Sequence, residues 1–302
     1  MLNINKKILI VLTGPTAVGK TDLSIDIAKN FNTEIISADS RQFFKELKIG
    51  TAPPSDDDLK KVKHHFIGNL SITENYNIGK YEIDALNCIN NIFNKNNYAV
   101  LTGGSGLYLD VVCNGMSVLP SADEDIRNEI DAIFNTGGIE ALKVKLKELD
   151  EEYYKIVDLN NYKRLMRAIE VCLVTGEKYS ELRKNKPQER EFKIIKFCLN
   201  RDRNELYERI DKRVDLMIEN GLIDEAKSFI NFRNYNSLNT VGYKELFPFF
   251  DGIYDINEAI RLIKRNSRRF AKRQLTWFRK DNSYIWVNPS EIEKIIETIE
   301  DF

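Results

Sequence analysis

The residues best suited to chemistry are GPTAVGKT at 14–21. They meet every fixed position of G-x-x-x-x-G-K-[ST], after a short apolar run and before a helical pattern, the setting in which this motif forms a phosphate-binding loop. Glycines let backbone N–H groups converge on an anionic oxygen cluster, and the following helix adds a favourable dipole. Gly14, Pro15, Thr16, Ala17, Val18 and Gly19 are expected to form the loop, Lys20 to add a point charge, and Thr21 to offer a hydroxyl to Mg2+. Nucleotide hydrolases of this kind also place a carboxylate at the end of an apolar strand to hold the metal. The obvious strand, YAVLT at 98–102, ends in threonine and runs into Gly-Gly-Ser-Gly. The loop therefore has the means to grip phosphates of something other than ATP. The nearest strand-end acid is Asp39, followed by Ser40, Arg41 and Gln42. Carboxyl ends of parallel strands are where such folds build their sites, so Asp39 reads as a catalytic or substrate-facing group, or else as a helix cap or surface acid. GGSGLY at 103–108 is a second glycine-rich turn, either a tight strand-to-helix connection or a place for the Ser105 hydroxyl to meet a phosphate.

These groups need a scaffold. KKILIVLT (6–13), TEIISAD (33–39) and YAVLT read as short strands, HHFIGNL (64–70) as another, and 20–30 and 78–96 as helices. Residues 50–58, with Pro53-Pro54, read as an irregular loop. Strands alternating with helices imply a parallel sheet covered on both faces. From about 121 to 190 only helical patterns occur, before FKIIKFCLN (192–200) returns to strand character. Helices follow at about 202–219 and 222–232, then a long basic helix ending near Arg279, a strand at 284–287 and a short terminal helix. The fold class is thus α/β, a P-loop parallel-sheet core (1–121 and 192–302) covered by helices, with an inserted all-helical domain at 122–191.

Composition narrows the function classes. The chain has 302 residues, 42% hydrophobic and 30% charged, ordinary for a globular protein, which excludes wholesale disorder. No apolar stretch is long enough to span a membrane and no signal peptide is visible, so a cytoplasmic protein without membrane contact is expected. Four dispersed cysteines without CxxC read as reduced, mostly buried thiols. His64 and His65, adjacent on a strand, point to opposite faces and cannot share one metal. The formal charge is −1, yet residues 261–280 hold nine basic residues and no acid, leaving −10 on the remainder. A run of one sign interleaved with Phe270, Trp277 and Phe278 points to nucleic acid, against the alternative of a solvated helix face.

GPTAVGKT, ISADSRQ, GTAPP, TGGSGLY, LPSAD, KRLMRAIEV, ERIDKRVDLMIENGLIDEA, TVGYKEL and AKRQLTWFR, in this order, resemble the tRNA dimethylallyltransferases (tRNA isopentenyltransferases) over about residues 8–287. The resemblance implies transfer of a dimethylallyl group from dimethylallyl diphosphate to N6 of the adenosine just 3′ of a tRNA anticodon, with Mg2+ as cofactor and the helical insertion on the anticodon stem. It implies that Lys20, Thr21 and the loop amides hold the diphosphate, with the metal near Thr21. Asp39 would accept a proton from, or orient, the adenine amine. Ser105, where the family usually has threonine, would keep a hydroxyl toward the diphosphate, and Arg213 would steady the same group. The tRNA contacts implied are Asp39, Ser40, Arg41, Gln42, Ser105, Arg127, Lys163, Arg164, Leu165, Met166, Arg167, Asn239, Thr240, Val241, Gly242, Tyr243 and Lys244. Pro53 departs from the lysine the family often carries after GTA, removing one cation near the site. A monomer is expected. The competing readings are a small-molecule or nucleoside kinase, a prenyltransferase acting on free adenine nucleotides, and a non-catalytic RNA-binding module. The first explains residues 8–42 but not the basic segment or the insertion.

Overall fold

The protein is described here from a computed structural model covering residues 6–115, 119–120, 123–183 and 188–302. The run ILIVLT is buried along its whole length because it forms the centre of a parallel sheet, β1 (Ile8–Thr13). Its neighbours are β4 (Tyr98–Gly103) and β5 (Lys193–Leu199). β2 (Ile35–Ser37), β3 (His64–His65) and β6 (Tyr284–Val287) complete the order β3-β2-β4-β1-β5-β6, every pairing parallel. A central parallel strand is covered on both faces, which is why its sequence does not alternate. Thr13 lies opposite both Gly103 and Cys198, so β1, β4 and β5 bring their carboxyl ends to one edge.

α1 (Lys20–Asn30) follows β1, α2 (Asp56–Lys61) precedes β3, and α3 (Ile78–Phe93) and α4 (Gly106–Asn114) flank β4. Beyond β5 come α9 (Arg203–Glu219), α10 (Leu222–Ser228), α11 (Tyr243–Phe250), α12 (Ile256–Phe278) and, after β6, α13 (Ile292–Asp301). Ile10, Leu12 and Phe197 of the sheet pack with Leu23 and Ile27 of α1, Leu206 and Ile210 of α9, and Ile295 and Ile299 of α13. Each such fully buried aliphatic side chain stabilises the fold by about 1.5–3 kcal/mol.

The chain divides into two compact units, Met1–Cys113 with Arg190–Phe302, and Asn114–Glu189. Sequence patterning places the insertion at 122–191; Ser121 and Ala122, at its first boundary, lie outside the described residues. The second unit holds α5 (Glu124–Leu149), α6 (Glu151–Ile156), α7 (Tyr162–Thr175) and α8 (Tyr179–Leu182). α5 is two helices meeting at Gly138, whose φ of 62° breaks the helical path. Ile130, Leu142, Leu146, Tyr153, Leu165 and Ile169 form its core. The buried Asp150 carboxylate accepts from Tyr153 N, Ser180 N and Ser180 Oγ, joining the starts of α6 and α8.

Three local expectations are corrected. Residues 50–58 are not irregular throughout, because Ser55 and Asp58 form a reciprocal cap and α2 begins at Asp56. The strand expected over 64–70 pairs only at His64–His65, since Phe66 (φ 62°) and Gly68 (φ 58°) turn the chain away before Leu70 bridges to Phe44. The helix expected over 222–232 ends at Ser228, with a separate 3-10 turn at Ile230–Phe232. Among the described residues no helix is long and apolar enough to cross a membrane.

Candidate active site

The phosphate loop leaves β1 at the shared strand edge. Gly14 adopts φ 148°, and a Cβ there would lie 2.8 Å from the Leu199 carbonyl oxygen, so only glycine fits against β5. Ala17 (φ 64°) and Gly19 (φ 107°) take left-handed conformations that turn the chain into α1. Lys20 Nζ donates to the carbonyls of Gly14 (2.9 Å) and Pro15 (2.8 Å), folding back over its own loop. Burial pushes the Lys20 ammonium down to about 8, against a pull upward from Asp39 and with a further depression from Arg213. A phosphate oxygen would supply the negative charge this buried cation lacks.

The second glycine turn is fitted against this loop by α12. Gln274, nearly buried, accepts from Thr16 N (2.9 Å) and donates to the Gly104 carbonyl (2.8 Å), joining the two turns through one amide. A Cβ on Gly104 would stand 2.3 Å from Gln274 Nε2, and one on Gly106 would stand 2.4 Å from the Trp277 ring. A Cβ on Gly103 would meet Ala38 backbone at 2.4 Å. TGGSG is therefore glycine-rich because three neighbours press on it. Trp277 Nε1 in turn donates to Asp110 Oδ2 on α4 (3.1 Å). Ser105 Oγ accepts from Ser40 N (3.1 Å) and donates to Ser40 Oγ (3.2 Å), tying this turn to the one after β2. Asp39 begins that turn, and its Oδ1 accepts from Arg41 N (3.0 Å), which fixes the carboxylate's direction.

These turns border two adjoining chambers of about 440 and 520 Å3. Asp39, Thr16, Arg213, Phe270 and Gln274 line both. The smaller chamber holds Lys20, Thr21, Arg209 and Lys212. Arg209 Nε donates to Ala17 O (2.8 Å), and Arg213 Nη1 donates to Thr16 Oγ1 (3.1 Å). Positions 209, 212 and 213 fall on one face of α9, the i, i+3, i+4 spacing that aims three cations at the loop. The larger chamber has apolar walls from Leu107, Ile210, Val214, Met217, Ile263 and Trp277, with Ser40, Ser105, Asn239 and Thr240 at its polar side. One end thus suits a multiply charged anion, the other a flat or branched apolar group, and a carboxylate stands where they meet.

The residues expected at the site divide by position. Gly14, Pro15, Thr16, Ala17, Val18, Gly19, Lys20 and Thr21 form the loop, and Asp39, Ser105 and Arg213 join Thr16 around the larger chamber. Ser40, Arg41, Asn239, Thr240, Val241, Gly242 and Lys244 line the same chamber, while Gln42 lines the smaller, cation-lined one. The Arg41 guanidinium is engaged by the carbonyls of Asn236 (2.6 Å) and Ser237 (3.3 Å), so it anchors the 236–239 loop. Two of the residues expected among the tRNA contacts carry side chains that face the protein interior. Tyr243 is wholly buried, with its hydroxyl on Glu225 Oε1 (2.6 Å) and its ring beneath Gly50, so its side chain cannot meet an RNA. Leu165 is likewise wholly buried in the helical unit's core. In that unit Lys163 and Arg164 are exposed and Met166 half-buried, while Arg127 and Arg167 both grip the buried Glu170 (2.7 Å each). The basic run is also less bare than its sequence: Arg261 pairs with Glu258, Lys264 with Asp215, and Arg268 with Asp211. Sequence reasoning missed Gln274 and Trp277 as site residues, although both are uncharged positions, three apart, inside a basic helix. It also missed Arg209, Lys212 and Glu225; the last accepts from Lys48, Ile49 and Gly50 N and so holds the GTA loop.

Residues 42–281 match the protein-family model described as IPP transferase. The chain is 52% identical to a tRNA dimethylallyltransferase of Christiangramia forsetii, covering 95% of each chain. It is 47% identical to tRNA dimethylallyltransferase 1 of Bacteroides thetaiotaomicron, over 96% of this chain and 94% of that one. Among solved structures, the full-length tRNA isopentenylpyrophosphate transferase of Bacillus halodurans is similar at 36% identity and a TM-score of 0.73, covering 98% of this chain and 96% of the other.

Proposed function

We propose, from the premise that this chain belongs to the IPP transferase family, that it transfers a dimethylallyl group from dimethylallyl diphosphate to the N6 amine of the adenosine just 3′ of a tRNA anticodon. The observation carrying this reading is that Asp39 lines both chambers, one walled by cations that suit a diphosphate and the other by apolar groups that suit a prenyl chain and a base.

Lys20, Arg209, Lys212 and Arg213 surround the diphosphate end, so negative charge growing on the leaving group is stabilised as the allylic C–O bond breaks. The bond's electron pair leaves with the diphosphate oxygen. The allylic carbon, positive as this happens, lies against the apolar walls and takes the N6 lone pair, forming the new C–N bond. The proton lost from N6 passes to the Asp39 carboxylate, whose direction Arg41 N sets. A positioned general base of this kind contributes roughly 10²–10⁴-fold. Ser105, through Ser40, keeps the Asp39 turn in register with the glycine turn that faces the loop. The adenine must leave its stack to enter, at a cost of about a few kcal/mol, lower in a loop than in a duplex. The Thr21 hydroxyl beside diphosphate oxygens suits Mg2+, a hard cation that keeps several of its waters. Bound there, the ion would neutralise charge on the leaving diphosphate. The exposed Lys163 and Arg164 of the helical unit are suited to the phosphates of the anticodon stem.

Incubating the protein with dimethylallyl diphosphate and an unmodified tRNA transcript, then digesting to nucleosides, tests this directly. One adenosine per tRNA should gain a C5H8 unit by mass. An unchanged nucleoside profile with an active, folded protein would overturn the reading.

A further inference from the structure

α12 separates the reaction chambers from a third concavity of about 680 Å3 on its other face. Phe270, Arg273, Gln274 and Trp277 look into the larger reaction chamber, whereas Lys272, Thr276 and Arg279 look into this cleft. Its opposite wall is the start of α9, with Arg203 and Tyr207, and its floor is the carboxyl ends of β5 and β6, with Trp286.

Two features distinguish it from an ordinary charged surface. Among the described residues Arg203, Lys272 and Arg279 form no ion pair, while the neighbouring Arg201 and Arg268 are matched by Glu205 and Asp211. The cleft's own acid, Asp202, is already used, its Oδ1 accepting from Asn204 N and Glu205 N as the cap of α9. The second feature is aromatic. The Arg203 guanidinium lies 5.2 Å from the Tyr207 ring centre, and that of Arg279 lies 5.9 Å from the Trp286 ring, which is 36% exposed at the strand edge. Three cations without an ion pair line one cleft with two partly exposed rings, which provides both halves of nucleotide recognition: charge for a phosphate and a π-face for a base.

We propose that this cleft binds one unstacked nucleotide unit, its phosphate held by Arg203, Lys272 and Arg279 and its base stacked on Trp286. The unit is either an unpaired nucleotide of the tRNA or a free nucleotide; only the first rests on the tRNA reading given above.

The chain has two tryptophans, so a Trp277→Phe background leaves Trp286 as the sole indole. In that background, adenosine 5′-monophosphate should quench Trp286 emission at concentrations where inorganic phosphate has little effect. Adding Lys272→Gln and Arg279→Gln should move the curve at least roughly 10-fold to higher concentration, the loss expected for two charge-assisted contacts. In parallel, tRNA affinity is measured over a range of salt for otherwise wild-type protein with and without the same two substitutions. A salt slope shallower by about 0.7, the value for one single-strand phosphate, assigns the cleft to the tRNA. Parallel lines together with the nucleotide-specific quench assign it to a free nucleotide. Equal quenching by phosphate and nucleotide, or no quenching together with parallel salt lines, overturns the proposal. Transfer to tRNA by the wild type, assayed alongside, judges the proposed function separately.

Discussion

Asp39 is useful because of the turn it opens: one carboxylate oxygen is held by Arg41 N, and the side chain borders both chambers. Asp39→Asn is nearly isosteric and keeps an oxygen for Arg41 N, but it cannot take the amine proton. Turnover should fall by at least roughly 10²-fold with tRNA affinity little changed. Single-turnover kinetics within a few-fold of wild type would remove Asp39 as the base. Lys20 makes a prediction in pH. Below about 8 the buried ammonium carries its charge in the free enzyme, and above that value it is neutral. A bound diphosphate favours the charged form, so donor binding above about pH 8 should take up a proton, and donor affinity should fall as pH rises through this range. Calorimetry of donor binding in two buffers of different ionisation enthalpy measures the uptake. Identical heats in both would show that Lys20 does not meet the diphosphate.

The elements act by pressing the turns together, and the glycines record where. Gly103→Ala would drive a Cβ into Ala38 backbone at 2.4 Å, a contact no side-chain rotation relieves. Its cost should reach about 1–3 kcal/mol or more, seen as a lowered Tm, and unchanged stability would contradict the packing described. Gln274→Leu keeps the bulk but leaves Thr16 N and the Gly104 carbonyl without their side-chain partner, so the two turns lose their shared tie. Donor KM should rise severalfold in a protein that still folds, and an unaltered KM would make Gln274 structural only. This tie also marks the limit of what is legible in sequence. β1, the loop and α1 are local: an apolar run, three turn-forming positions and a helix start, all adjacent. Gln274 meets groups 258 and 170 residues away, which no local pattern discloses. TVGYKEL marks a functional stretch without saying that Tyr243 turns inward to Glu225 while Lys244 stays exposed. β3 is short because Phe66 and Gly68 adopt left-handed backbone, a tertiary demand invisible in HHFIGNL.

Across the whole molecule, charge is distributed by use rather than by run. Three of the nine basic residues in 261–280 are matched by acids on α9 and α12, so their formal charge overstates the field they present. Replacing Arg268 by Gln should therefore leave the salt dependence of tRNA binding nearly parallel to wild type. Replacing Lys163 and Arg164, exposed on the helical unit, should weaken binding and flatten the slope by about 1.8 for two duplex phosphates, without changing donor KM. Equal slopes for all three proteins would remove the helical unit from the RNA contact. The central claim is that one cavity couples loss of diphosphate from the donor to capture of the prenyl group by a single tRNA adenosine. Inorganic diphosphate release can be followed with an unmodified transcript and with the same transcript carrying guanosine just 3′ of the anticodon. One diphosphate released per modified adenosine in the first, and none above background in the second, is the predicted result. Equal release from both transcripts, or release without a modified nucleoside, would contradict it.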